Sequence, residues 1–181
     1  GGNVCTASPG ADTVPSLMVN EALAVIAAND GSRTIPVNEV ITGPGTTSLA
    51  SGEFIIEFLL EQPPSRTSDA YERFIPRTEM DIAVVDAAAR ISLDESGNCK
   101  EARVAIGAAA PTVIRVPEAE SILHGKKIND QLLAEVMEVV STTCNPINDK
   151  RGTVEYRRQV AGVLAKRVIL LAEKRALNKR G

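Results

Sequence analysis

The first apolar run, Ala22 to Ala28, is followed by the polar turn Asn29 to Ser32 and then by Arg33 to Val37. Two such runs around a Gly-containing turn predict a β-hairpin. Pro36 lacks an N–H and places the second strand at a sheet edge. Asn38 to Thr42 reads as one short helical turn, Gly43 to Thr47 as loop, and Glu53 to Leu60 as a strand. Gln62-Pro63-Pro64-Ser65 ends that strand and marks the boundary between a first lobe, residues 1–65, and a second, residues 66–181.

The second lobe has a different pattern. Asp81 to Val85 continues through Arg90 to Leu93 as a strand, Asp94 to Asn98 turns the chain, and Glu101 to Ile106 returns with alternating charged and apolar positions. Tyr71 to Phe74 supplies a third strand. Pro117 at a first helical position and Gly125 just past an end bracket a short helix. Asn129 or Asp130 caps a second helix, with Leu132, Leu133, Val136, Val139 and Val140 on one face. A third starts near Thr153 and aligns Tyr156, Val160, Val163, Leu164, Val168 and Leu171. The expected class is α+β, with a three-stranded antiparallel sheet and three helices in the second lobe.

Composition narrows the picture. Aromatic residues make up 3% of the 181 and there is no Trp, so Ala, Val, Ile and Leu must fill the core, which suits helices packed on a sheet. A net charge of −3 gives no pull toward nucleic acid, and stacking aromatics are too few for it. Cys5, Cys99 and Cys144 lack the spacing of a zinc or iron–sulfur site and read as reduced thiols of a cytoplasmic protein. Every apolar stretch stops well short of the ~20 residues of a membrane helix. The chain starts Gly-Gly without Met, which fits a tag scar or a chain cut from something longer.

The chemistry-bearing residues are few. His124, the only histidine, precedes Gly125 at a helix C-terminus, where a favourable end charge explains it better than catalysis. No Walker loop or dinucleotide fingerprint occurs. Gly1-Gly2-Asn3 alone is a weak turn signal. It is followed, however, by Thr6-Ala7-Ser8-Pro9-Gly10-Ala11-Asp12, Gly43-Pro44-Gly45, Glu53-Phe54-Ile55 and Arg77 to Ala83. Gly107 to Thr112 and Arg151-Gly152-Thr153-Val154-Glu155-Tyr156-Arg157 complete the series. In this order and spacing the chain resembles the FAD-binding medium subunit of the molybdenum hydroxylases, the family of xanthine dehydrogenase and carbon monoxide dehydrogenase, over essentially its whole length.

The resemblance implies the remainder of a two-lobed FAD-binding domain of the PCMH/VAO type, followed by a C-terminal α+β lobe. About the first third of the family's length, with its own Gly-rich pyrophosphate loop, is expected to precede Gly1. Gly1, Gly2 and Asn3 match a turn against the FAD pyrophosphate, where the lack of a Cβ admits close backbone approach. Thr6 adds a hydroxyl contact. Asp12 matches an acidic position holding a cofactor hydroxyl, although it would equally serve as a helix N-cap. Ile55 matches an apolar residue whose backbone meets the flavin ring, a role compatible with strand core. Arg73 falls where a basic residue lies near the pyrimidine edge of the flavin. As a cation there it would stabilise negative charge, and otherwise it is a solvated strand charge.

Arg77 to Asp81 matches a loop governing access of an external acceptor, with Pro76 and Met80 departing from the basic and acidic residues of some relatives. Arg151, Glu155, Tyr156 and Arg157 read as structural, with Glu155 pairing to Arg158 or Arg151. Lys166, Arg167, Lys174, Arg175, Lys179 and Arg180 read as a solvated face. In the family, electrons from a molybdenum cofactor on a large subunit pass through [2Fe–2S] clusters on a small subunit and leave through FAD to NAD or another acceptor. The competing expectation is a truncated, non-catalytic docking module that does not hold FAD by itself.

Overall fold

The computed structural model describes residues 1–77 and 81–178, so Thr78, Glu79 and Met80 of the loop expected to govern acceptor access, with Lys179 and Arg180 of the expected basic face, lie outside the described residues. Among the described residues the first elements are α1 (Gly2–Thr6), α2 (Val14–Val19), β1 (Leu23–Ala28), β2 (Gly31–Pro36), α3 (Val37–Val40), β3 (Ile41–Gly43), β4 (Thr46–Thr47) and β5 (Phe54–Leu59). There follow β6 (Thr67–Phe74), β7 (Val85–Leu93), β8 (Cys99–Gly107), β9 (Ile114–Arg115), α4 (Pro117–Leu123), α5 (Asp130–Thr143) and α6 (Val154–Asn178).

The first hairpin forms where the pattern places it. β1 pairs antiparallel with β2 on one side and β5 on the other, leaving Pro36 on an edge strand. A bulge interrupts β1–β5 pairing, since Val25 faces Glu57 while Ile26 faces Ile55. The segment expected as loop, Gly43 to Thr47, instead closes a small ladder of β3 and β4, with Gly45 turning at φ +70°. The small residues after Gly1 also do more than turn. Val4 is buried, and that anchor winds Gly2–Thr6 into a single helical turn that ends at Ala7 in the left-handed region, φ 49°.

The second half is built on a four-stranded antiparallel sheet, β6-β7-β8-β9, not the expected three. The added strand, β9, is only two residues long and pairs with Ala105 and Ile106. β7 starts at Val85, later than expected, because Arg157 takes the Val84 carbonyl at 2.7 Å. Alternation then separates the faces. Ala87, Ala89, Ile91, Val104 and Ile106 point to α4, α5 and α6, whereas Ala88 and Ala105 join Val14, Val19, Ala24 and Ile26 of the first half in a second core.

The three helices have the expected bounds. Pro117 opens α4, Gly125 follows it at φ +72°, and the Asn129 side chain caps α5 by accepting from the Leu132 N–H at 3.0 Å. The Thr153 hydroxyl accepts from the Tyr156 N–H at the start of α6. The expected stripe on α6 needs correction. Leu164 and Val168 are buried, but Tyr156 and Val163 are exposed, and the buried face is completed by Ala161, Gly162, Ala165, Ala172 and Ala176. Small residues let this helix approach its neighbours closely: a Cβ on Gly162 would stand 2.8 Å from the Met137 carbonyl of α5.

The expected Glu155 pairing is also replaced. Arg157, fully inside, bonds the carbonyls of Val84 and Ala108 and the Asp149 carboxylate at 2.6 Å, while Arg151 lies 3.9 Å from Asp81 and 3.8 Å from Asp149. The motif therefore ties α6 to both strands at the open end of the β7–β8 hairpin. The basic face of α6 is partly paired, through Lys166 with Asp130 and Arg167 with Glu72.

Candidate flavin site

Two groupings of the sequence-predicted residues emerge. In the first, Gly1 N-caps α1 and Gly2 and Asn3 form its opening turn, all three exposed. The initial N–H groups of any helix have no partner within the helix, so this turn presents donors to solvent. The position a Cβ would take on Gly1 lies 3.8 Å from the Ile55 carbonyl oxygen, and nothing stands within 4 Å of that position on Gly2. Ile55 is half-buried and sits beside the β1–β5 bulge, a device that re-aims a strand locally. Thr6 donates its hydroxyl proton to the Gly2 carbonyl at 2.8 Å, which leaves it only acceptor capacity toward a ligand.

The second grouping joins residues 61 positions apart. Asp12 and Arg73 form a close ion pair, each side chain about one-third exposed. Asp12 makes no cap: α2 begins after Thr13 without a side-chain cap bond. The loop that carries Asp12 is fastened to the second half, since the Pro9 carbonyl accepts from the Ala108 N–H at 2.7 Å. A Cβ on Gly10 would lie 3.0 Å from Ile82. Arg73 stands on β6 in register with Asp86 of β7, on the sheet face turned toward the first half.

Beneath that pair lie residues the sequence reading did not single out. Asp86 is fully buried, and its Oδ2 accepts a hydrogen bond from the Tyr71 hydroxyl at 3.1 Å. Its Oδ1 lies against the Gly107 backbone without a hydrogen bond of sound geometry, and a side chain at 107 would overlap it. Burial pushes the Asp86 carboxyl up to about 7, with the Asp12 charge adding to the rise and the Tyr71 bond opposing it. Burial likewise raises the Tyr71 hydroxyl well above its ordinary value, helped by Asp86 and Asp12. The available signal was an acidic residue inside the apolar run Val84-Val85-Asp86-Ala87-Ala88-Ala89.

A cleft of about 1040 Å³ lies elsewhere. Asn20, Leu23, Leu59, Arg90, Arg103 and Arg115 are among its walls, and none of the sequence-predicted site residues lines it. No group of side chains able to hold a metal ion occurs among the described residues. No helix there is long and apolar enough to cross a membrane.

A two-part α+β protein with a Gly-rich turn set beside a bulged strand is the class these features define. Residues 1–60 match the FAD binding domain in molybdopterin dehydrogenase, and residues 70–172 match the CO dehydrogenase flavoprotein C-terminal domain. The putative xanthine dehydrogenase FAD-binding subunit of Escherichia coli K12 is 34% identical over 93% of this chain and 58% of its own length. The carbon monoxide dehydrogenase medium chain of Afipia carboxidovorans is 27% identical, over 98% of this chain and 61% of its own. The solved carbon monoxide dehydrogenase of Hydrogenophaga pseudoflava that lacks the Mo-pyranopterin moiety superposes with a TM-score of 0.91 at 28% identity. That match covers 97% of this chain and 60% of the other. The chain belongs to the FAD-binding medium subunits of the xanthine and carbon monoxide dehydrogenase family. It spans about three fifths of the length of the relatives it matches.

Proposed function

We propose that this chain carries one side of the FAD site of a molybdenum hydroxylase and serves as its electron-transfer subunit. The observation that carries this reading is the juxtaposition of the open Gly1-Gly2-Asn3 turn with the Ile55 backbone. The fit to an anionic cofactor is good: unpartnered N–H donors lie at a helix start, with no side chain on the two glycines to block approach. When bound, FAD supplies two-electron redox chemistry between the partner clusters and an acceptor. Gly1, Gly2 and Asn3 donate to the pyrophosphate, and Thr6 adds a hydroxyl contact there by turning its proton from the Gly2 carbonyl to a phosphate oxygen. Asp12 accepts from a cofactor hydroxyl, Ile55 presents backbone to the ring, and Arg73 offers a cation at its pyrimidine edge.

The wider roles follow the same reading. Residues 1–65 and 66–181 act as two lobes, the first holding the cofactor with Arg73 added from the second, and the second docking. A large subunit with the molybdenum cofactor and a small [2Fe–2S] subunit are the partners, NAD or another acceptor takes the electrons, and the complex works in the cytoplasm. One observation favours a second reading, in which this chain alone docks partners without retaining flavin. Phe54, Ile56, Leu59 and Leu60 are exposed along and beyond β5, which has no strand on its outer side among the described residues. Such an edge calls for cover.

Titration of the purified chain with FAD, followed by flavin fluorescence, tests both. Each charge-assisted hydrogen bond missing from a one-sided cradle costs roughly 1.5–3 kcal/mol, and ~1.4 kcal/mol is tenfold in affinity. The expected outcome is weak binding that Gly2→Val weakens further. Submicromolar affinity would show that one side suffices. Binding indifferent to a side chain at position 2 would remove the turn from the site.

A further inference from the structure

Asp12, Arg73, Tyr71 and Asp86 form a chain of four polar groups running from the surface to the interior, with only one cation among them. The tyrosine hydroxyl has a single proton and can donate to one carboxylate at a time. In the structure it donates to Asp86, while Arg73 holds Asp12. We propose that Asp86 is a positioning residue for the candidate flavin site, acting through Tyr71 to set whether Asp12 is held by Arg73 alone or shared with the tyrosine. The inference rests on the reading of Asp12 and Arg73 given above.

The geometry supplies the device. A fully buried carboxylate with one oxygen unpartnered is costly to keep ionised, and Gly107 provides the space that keeps it inside. When Asp86 takes up a proton it becomes a donor. The Tyr71 proton is then available to Asp12, the carboxylate held by Arg73 two residues along the same face of β6. Asp12, so shared, loosens its claim on Arg73, and the guanidinium turns free toward a ligand. The rise of Asp86 to about 7 puts this exchange near neutrality.

The charged neighbours are few and can be named. β6 contributes Tyr71 and Arg73, and the loop before α2 contributes Asp12. α2 (Val14–Val19) and the segment from Gly107 to Val113 contain no ionisable side chain. On β7 itself the next charge on that face is Arg90, which donates to Asn20. Arg157 of α6 reaches the nearby carbonyls of Val84 and Ala108 and the Asp149 carboxylate. Asp81, before β7, is engaged by Arg77.

The test follows aspartate carboxyl carbons by NMR in the whole chain across neutral pH, with Asp86→Asn and Tyr71→Phe as variants. Asp86 should titrate near neutrality, and the Asp12 resonance should inflect at the same pH. Asp86→Asn should abolish that inflection, and Tyr71→Phe should leave Asp86 titrating while uncoupling Asp12. A merely structural Asp86 would leave Asp12 without a neutral inflection, and so would overturn the proposal. An inflection that survives Asp86→Asn overturns it as well. In a parallel arm, FAD affinity should be greater at about pH 6 than at about pH 8, by on the order of threefold to tenfold, and Asp86→Asn should erase the difference. If FAD binds equally at both, Asp86 does not tune the site. A chain that takes no FAD at either pH counts against the proposed function, and the coupling between the two aspartates then decides this inference by itself.

Discussion

The two faces of the β6–β7–β8 sheet are drawn from the same strands by alternate residues, yet they do opposite work. Toward the helices stand Ala70, Ala87, Ala89, Ile91, Val104 and Ile106, with Glu72, paired to Arg167 of α6 towards the edge, as the charged member of that face. Toward the first half stand rows with polar members: Arg73–Asp86–Gly107, Tyr71–Ala88–Ala105 and Asp69–Arg90–Arg103. The helix face holds the second half together through close contact of small apolar groups. The other face spends stability on buried polar groups, and it is the face that meets the loop carrying Asp12. The contrast teaches that a shift of one residue along a strand separates scaffold from site.

Substitutions can sharpen or break this contrast. On the helix face Ile91→Ala should cost most, about 2–5 kcal/mol, because the site is packed on all sides and cannot collapse fully. Urea unfolding reads it, with no dependence on pH expected. The other face should behave differently. Asp86 has a raised folded-state pKa, so its contribution is fully present below the ordinary carboxylate value near 4 and is lost as pH rises to about 7. The native chain should therefore lose up to roughly 4 kcal/mol across that window from this group, and Asp86→Asn should flatten the loss. A flat native profile would mean the two faces are alike.

Smaller effects follow. Gly107→Ala should destabilise by about 1–3 kcal/mol through overpacking against Asp86, and the double variant with Asp86→Ala should recover part of that. Arg103→Gln, at the rim where Glu21 and Glu101 are largely exposed, should cost under ~1 kcal/mol, and less at high salt. A large effect there would extend the costly polar region to the sheet edge.

Much of this was legible in the sequence. Hairpin β1–β2, strands β5, β7 and β8, and the bounds of α4 to α6 follow from alternation, turn residues and caps. β9 escaped because two residues, Ile114 and Arg115, are too short to show a period. The buried stripe of α6 was misplaced because the pattern rewards large apolar residues. Against a sheet face rich in alanine, close approach favours Ala161, Ala165 and Ala172 instead. For the candidate site, the residues singled out in the sequence fall into two groups, Gly1 with Ile55 and Asp12 with Arg73, and a pairing of the last two was not foreseen. Tyr71 and Asp86 were not legible, because their significance depends on which face of the sheet the first half covers.

The bond from the Ala108 N–H to the Pro9 carbonyl joins the two family segments directly. With Ala88 and Ala105 packed among first-half residues, the halves are joined without reliance on their peptide connection. Gln62 to Ser65, which makes that connection, is exposed throughout. A protease nick there should leave a non-covalent pair that co-elutes and melts as one, and two separately expressed pieces should reassemble when mixed.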